Sequence, residues 1–418
     1  MSGCIRLPLI SNVRDAKVRL LHLGAAVGNC LRFSAPAGSV GLLALFIAAA
    51  PLAEEAEERE DGAQSWLSSA QYHGFLSQGY IKTDHNRFFG DSEKGSFEFT
   101  ELGINGTLNP VSNLRVSAQL NYRRAGENSP EEISLDYGFV DYRFADDSER
   151  RMGLRLGRIK NPYGFYNETR DVAATRPSVL LPQSIYSDPL RDVWHSADSI
   201  GAYYYGFPAG LEFRFDSIYG RSDAIGETVA RVRLPGYDAD LDSRYIGLAR
   251  MSVGSDVGSW KLAYTFGKTA LDFSTSAPIH LQRGEVREAI NLLSGEYLLE
   301  QWIFTAEYQQ LETWSRAERV PAVLGTSESW YLQSAWLFRP KWRALLRFDQ
   351  YRPDRDTGDL RTRDLSLGLR YDYDNHWMAA VEYHRVEGIT WLSPADNMDV
   401  AELENDWQLL AAMVSYRF

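Results

Sequence analysis

Leu114, Val116, Ala118, Leu120 and Tyr122 alternate with Arg115, Ser117, Gln119, Asn121 and Arg123. A period of two predicts a β-strand with one apolar and one polar face. The same alternation sets Leu211, Phe213 and Phe215 against Glu212, Arg214 and Asp216, and Trp260, Leu262, Tyr264 and Phe266 against Lys261 and Thr265. Four more apolar rows follow: Trp302/Phe304/Ala306/Tyr308, Trp342/Ala344/Leu346/Phe348, Leu365/Leu367/Leu369/Tyr371 and Trp377/Ala379/Val381/Tyr383. The chain closes on Leu410/Ala412/Val414/Tyr416/Phe418, and no stretch of helical period competes at comparable length.

What separates these segments alternates too. Short turns are expected at Asn109–Asn113, Ala145–Arg150, Phe207–Gly210, Gly254–Gly258, Glu300–Gln301, Arg339–Lys341 and Asp374–His376. Long polar segments are expected near 83–94, 125–132, 160–198, 221–242, 270–290, 311–328, 352–362 and 387–405. Seven turns and eight loops join about 16 strands, an even number that brings both termini to the turn side. The fold class expected is all-β, a closed antiparallel transmembrane β-barrel whose apolar rows face lipid and whose polar rows line water. Aromatics next to the turns (Tyr142, Phe144, Phe207, Trp260, Trp302, Trp336, Phe338, Trp342, Tyr373, Trp377, Phe418) are expected to form a girdle at one membrane interface. In the soluble alternative they are half-buried residues of a sheet core.

Composition adds constraints. Mean hydropathy is -0.34 and 24% of residues are charged. The longest apolar run, Val40 to Leu52, follows Arg6, Arg14, Lys17, Arg19 and Arg32 and precedes acidic residues from Glu54. That order reads as an export signal. The expected division is a removed leader over 1–53, a short acidic segment over 54–70 and the barrel over 71–418. Both cysteines, Cys4 and Cys30, fall in the leader, so the exported chain has no disulfide framework. From residue 54 onward 39 Lys and Arg face 55 Asp and Glu, a balance that argues against a nucleic-acid partner.

A barrel this wide leaves an aqueous channel unless something enters it. The longest loop, 160–198, carries turn-forming Pro162, Pro177, Pro182 and Pro189 and the apolar Val179-Leu180-Leu181. It is the expected inward-folded third loop, with Lys160, Asn161, Pro162, Tyr163, Arg170, Asp171 and Arg176 at the constriction; an ordinary outer lid is the alternative. Strand phase points Arg115, Arg123, Arg155, Arg214, Lys261, Arg343, Arg347 and Arg370 inward, with Glu212, Asp216, Glu307, Asp349, Asp364, Asp372 and Glu382 on the same faces. A weak anion preference is expected from Arg170 and Arg176.

The stretch Gly157-Arg158-Ile159-Lys160-Asn161-Pro162-Tyr163-Gly164, with Tyr166–Asp171 and Arg176-Pro177-Ser178, resembles the third-loop region of proteobacterial general porins related to the phosphate-selective porin O/P group. Leu135-Asp136-Tyr137 through Asp141-Tyr142-Arg143-Phe144 resembles the strand before it, and Tyr416-Arg417-Phe418 is similar to the assembly signal of such barrels. The resemblance implies a trimeric passive channel of a Gram-negative outer membrane, with periplasmic termini. It also implies contacts with lipid, lipopolysaccharide and the barrel assembly machinery, and passage of small ions and hydrophilic solutes. Phosphate selectivity does not carry over, because that group's ladder of lysine and arginine is sparse here.

Other chemistry finds little support. The seven histidines have no metal-ligand spacing, and Asp238-x-Asp240-x-Asp242 lacks the glycine and glutamate that complete a calcium loop. No cofactor is expected. Two alternatives stay open: a lipase-like barrel enzyme using His384 as base, for which no serine partner is identifiable, and an adhesin or structural barrel without conductance. Asn167-Glu168-Thr169 matches a glycosylation sequon, read here as chance.

Overall fold

The computed structural model describes residues 69–418 except 130, 223–228, 230–238, 277–281, 319 and 356–359. The expected leader and most of the acidic segment lie outside the described residues. The strands are β1 (Gln71–Thr83), β2 (Ser96–Val111), β3 (Leu114–Ala125), β4 (Glu132–Asp146), β5 (Arg150–Lys160), β6 (Ser196–Gly206), β7 (Leu211–Ser222) and β8 (Ala239–Ser255), then β9 (Trp260–Thr275), β10 (Arg283–Leu299), β11 (Trp302–Ala317), β12 (Val323–Arg339), β13 (Trp342–Arg352), β14 (Thr362–Asp372), β15 (Trp377–Glu387) and β16 (Asp406–Arg417). Each pairs antiparallel with its sequence neighbour, and β1 pairs with β16 from Phe75↔Arg417 to Thr83↔Leu409. The sheet closes on itself and leaves no unpaired edge.

The seven expected turns join the strands at one end. Asp374 caps the last of them: its Oδ1 accepts the amides of His376 at 2.8 Å and Trp377 at 2.7 Å, the local pairing that makes Asx a turn former. At the seam the Phe418 amide donates to the Gly74 carbonyl at 3.0 Å and the Gly74 amide to the Phe418 carbonyl at 3.1 Å. A side chain at Gly74 would lie 2.5 Å from the Phe418 ring, so only glycine admits that ring.

The expected apolar rows face outward, with Phe304, Leu346, Val381, Leu410 and Val414 all exposed on the outer face. Near the turns the aromatics form stacks: Trp302 on Trp336 at 5.2 Å, Trp342 against Tyr371 at 4.6 Å and Trp377 against Tyr416 at 4.8 Å. Offset ring pairs of this kind add to area burial and keep a polar edge available.

The inner face departs from the expected polar lining. Leu271, Phe273, Val286, Ile290 and Leu292 on β9 and β10, and Met378, Ala380, Val386, Trp407, Leu409, Ala411 and Met413 on β15 and β16, occupy the inward phase and are buried. They do not touch water because loop residues cover them. Leu181, Ile185, Val193 and Trp194 complete one cluster; Phe88, Phe89, Val179, Leu180, Trp391 and Leu392 complete the other. Burying such side chains contributes about 1.5–3 kcal/mol each, enough to hold loops against the wall.

Candidate functional site

The site is the segment between β5 and β6 together with the wall it touches. A β-bulge prepares the wall. Gln119 pairs with Tyr137 and Leu120 with Leu135, so Asp136 is the extra residue and turns inward, buried, the re-aiming that bulges provide. Lys160 Nζ lies 2.8 Å from Asp136 Oδ2 and 2.9 Å from Asp171 Oδ2. His195 Nε2 is 2.5 Å from Asp136 Oδ1, and Arg191 also pairs with Asp171. Asp136, Asp171 and His195 have the proximity of a metal-ligand set, but the ammonium of Lys160 already bridges the two carboxylates.

Past this knot the segment bonds to one inward side chain after another. Asn161 is buried and its amide donates to the His195 carbonyl at 2.9 Å. Pro162 is buried beside Arg155 and Glu168. The Tyr163 hydroxyl lies 2.5 Å from Gln309 Oε1 on β11, and its ring stacks on Trp194 at 5.5 Å. Glu307, also on β11, accepts from the Phe165 amide at 3.0 Å and the Tyr186 hydroxyl at 2.7 Å. Arg170 donates to the Tyr186 carbonyl at 3.0 Å, and Arg176 takes Glu101 of β2 in a two-pronged pair, the geometry that makes guanidinium–carboxylate bonds strong.

Leu180 is clamped from both sides. Its amide donates to Glu382 Oε2 of β15 at 2.9 Å and its carbonyl accepts from Arg347 Nη1 of β13 at 3.1 Å, while Arg347 Nη2 binds Glu382 Oε1 at 2.9 Å. Arg370 of β14 donates to the carbonyls of Arg176 at 2.6 Å and Ala174 at 2.9 Å. Arg123 of β3 pairs with Asp188 at 2.6 Å.

The predicted residues therefore divide. Arg170 and Arg176 are buried and paired within this network, so they face no open lumen as the expected anion preference required. Arg123, Arg347 and Arg370 hold the segment and are likewise not free lining. Arg155, Arg214 and Lys261 remain open, with side chains 30%, 38% and 46% exposed and their ion pairs to Asp141, Glu212 and Glu296 loose at 3.4, 3.9 and 3.9 Å. Each rests on an aromatic ring: Arg155 over Tyr203 at 4.3 Å, Arg214 over Tyr205 at 4.0 Å, Lys261 over Phe165 at 4.1 Å. Arg115 and Arg343 are half-buried on the inner face near the turn end, and no described carboxylate forms an ion pair with either.

Sequence reasoning missed Glu168 and Arg250. Arg250 Nη1 and Nη2 hold the Glu168 carboxylate at 2.6 and 2.7 Å, and Nη2 also reaches Asp216 at 3.1 Å. Arg250 follows apolar inward Ile246 and Leu248 on a strand with a register shift at Ser243/Tyr245, so polar alternation gave no signal for it. His384 meets Asp364 at 2.8 Å, and Ser366 stands opposite it in register. All three are buried, and the void beside His384 and Asp364 is about 10 Å³, too small for a substrate. Asn167 is buried with its Nδ2 3.0 Å from the Asn161 carbonyl, which fits the reading of its sequon as chance.

No protein-family model matches the sequence, and no curated protein matches it. Solved structures do match by shape. OmpT with loop L8 deleted, an outer membrane protein of Vibrio cholerae, superposes with TM-score 0.54 at 11% identity, covering 84% of this chain and 99% of that one. An anion-selective porin from Comamonas acidovorans gives the same values. OmpF of Salmonella typhi, in complex with daunomycin, gives 0.52 at 12%, covering 84% and 97%. At such identity the likeness shows a fold shared with outer-membrane barrels.

Proposed function

We propose that this chain is a passive channel of a bacterial outer membrane, carrying small ions and hydrophilic solutes and assembled as a homotrimer with its termini in the periplasm. The observation that carries the reading is the polarity of the wall: apolar rows and aromatic stacks outside, half-exposed charges inside. A closed barrel with an apolar exterior satisfies every backbone group within a bilayer. The outer surface then meets lipid and lipopolysaccharide, and the strand ending at Phe418 is what the assembly machinery engages. The reading needs no enzyme activity and no cofactor. The segment 160–198 is the constriction, acting through its bonds to the wall, and solutes pass where Arg155, Arg214 and Lys261 line the turn half.

A weak anion preference follows from those three cations with Arg115 and Arg343, because loose pairs and unpaired guanidiniums leave positive potential at the lumen surface. The test is conductance of refolded protein in planar bilayers, then the reversal potential in a salt gradient. Wild type is expected to favour chloride weakly. Arg155→Glu, Arg214→Glu and Lys261→Glu together are expected to shift it toward cations. Absence of conductance overturns the channel reading, and an unchanged reversal potential overturns the anion assignment.

A further inference from the structure

Glu168 is placed where a solute's carboxylate would sit. It comes from the segment, not the wall, yet it fills the guanidinium fork of Arg250, an inward residue of β8. Arg250 is itself buried, with a side chain 7% exposed, while Glu168 remains 36% exposed. Arg155 lines the same void as Glu168, Arg214 is the inward residue before Asp216, the register partner of Arg250, and both cations are half-exposed. Arg155 and Arg214 thus neighbour the Arg250–Glu168 pair. Asp216 contacts Arg250 at 3.1 Å, Glu212 lies 3.9 Å from Arg214, and Asp141 pairs with Arg155 at 3.4 Å. The wall therefore keeps counter-charges when Glu168 leaves.

The surroundings suit a carboxylate with an apolar body. Tyr203 and Phe139 flank Arg155 at 4.3 and 5.4 Å, and Tyr205 flanks Arg214 at 4.0 Å. Pro162 and Ile218 line the same void as Glu168, about 20 Å³, so only the solute's carboxylate enters it, in place of that of Glu168, and the apolar body stays outside against the rings. Arg250 also donates to the Gly164 carbonyl at 2.8 Å, so the residue that holds Glu168 holds the start of the segment too.

We propose that Arg250, with Arg214 and Arg155, forms a binding site for small organic carboxylates, and that Glu168 is a tethered competitor occupying it until such a solute displaces it. This rests on the channel reading and deepens it by naming the solute class. An internal carboxylate competes at the high effective concentration of a short tether, so its removal must tighten binding of a free carboxylate.

The experiment titrates benzoate into detergent-solubilised full-length wild type, Glu168→Gln, Glu168→Ala and Arg250→Lys, by calorimetry, with heat-modifiable mobility confirming each barrel. Both Glu168 variants are expected to bind benzoate at least about tenfold more tightly than wild type, and Arg250→Lys more weakly, because an ammonium cannot reproduce the planar fork. Equal affinity in wild type and both Glu168 variants overturns the proposal. So does phosphate binding that matches benzoate in every variant, which would make the site a general anion site. If the Glu168 variants tighten binding but no variant conducts, the site stands and the channel reading falls; conductance without tightened binding removes the site alone.

Discussion

Replacing Glu382 with alanine removes the acceptor for three donors at once: the Val179 amide at 3.1 Å, the Leu180 amide at 2.9 Å and Arg347 Nη2 at 2.9 Å. Arg347 is 1% exposed, so the variant leaves a guanidinium buried without its partner. Breaking one side of a buried pair costs about 3–5 kcal/mol, and each stranded amide adds about 1–3 kcal/mol where water does not reach it. The segment relieves that cost by leaving the wall and admitting water. Taking about 3–5 kcal/mol as the driving force, its released population rises by roughly two to three and a half powers of ten. Trypsin reports this directly, because Arg170 and Arg191 are held in the docked segment and cleavage tracks the open population when reclosing is fast. Cleavage within 160–198 should accelerate in Glu382→Ala while heat-modifiable mobility shows an intact barrel, and conductance should rise in parallel. Arg347→Met combined with Glu382→Ala removes the stranded charge and should recover much of the protection. A cleavage rate within twofold of wild type, or a double variant as exposed as the single one, refutes the reasoning.

Three further outcomes are expected. Ser178→Cys with Gly368→Cys should form a disulfide tying the segment to β14, because a Cβ at Gly368 lies 3.4 Å from Ser178 Cβ, near the span a disulfide needs; oxidation should lower conductance and abolish the trypsin sensitivity that Glu382→Ala creates, and reductant should restore both. Gly74→Val should displace the Phe418 ring from the β1–β16 seam and lower the temperature of the heat-modifiable transition, whereas Gly325→Val, where nothing crowds the added side chain, should leave it unchanged. Asp374 has a carboxyl held below its ordinary value by the amides of Trp377 and His376, so its stabilising contribution is present above the unfolded carboxylate range and is lost as pH falls through the lower folded value; Asp374→Asn should narrow the difference in turn protection between pH 7 and strong acid, read by hydrogen exchange at Trp377.

The barrel was legible because its outer face obeys one rule. A row such as Leu365, Leu367 and Leu369 meets the same surroundings along the wall, so a period of two survives without knowledge of its partners. The inner face obeys a different rule, since each inward position answers to whichever residue reaches it from a loop. Leu409-Leu410-Ala411-Ala412-Met413-Val414 shows how the signal blurs: both faces are apolar, as in a strand covered on both sides, and the sequence does not say that Phe88, Trp391 and Leu392 provide the inner cover. Arg347 and Arg155 look alike by phase, yet one is buried against Glu382 and the other rests half-open on Tyr203. What separates them is the part of the segment that reaches each, Leu180 at Arg347 and Pro162 at Arg155, and no local pattern encodes that pairing. The signal that was available lies in the segment itself. Four prolines, the apolar Val179-Leu180-Leu181 and five charged residues between Lys160 and Arg176 are more than a solvated lid requires. Each of the charges Lys160, Glu168, Arg170, Asp171 and Arg176 meets a partner of opposite sign. A loop with that content needs a wall of matching charge, and the inward phases of β2, β4 and β8 supply it through Glu101, Asp136 and Arg250.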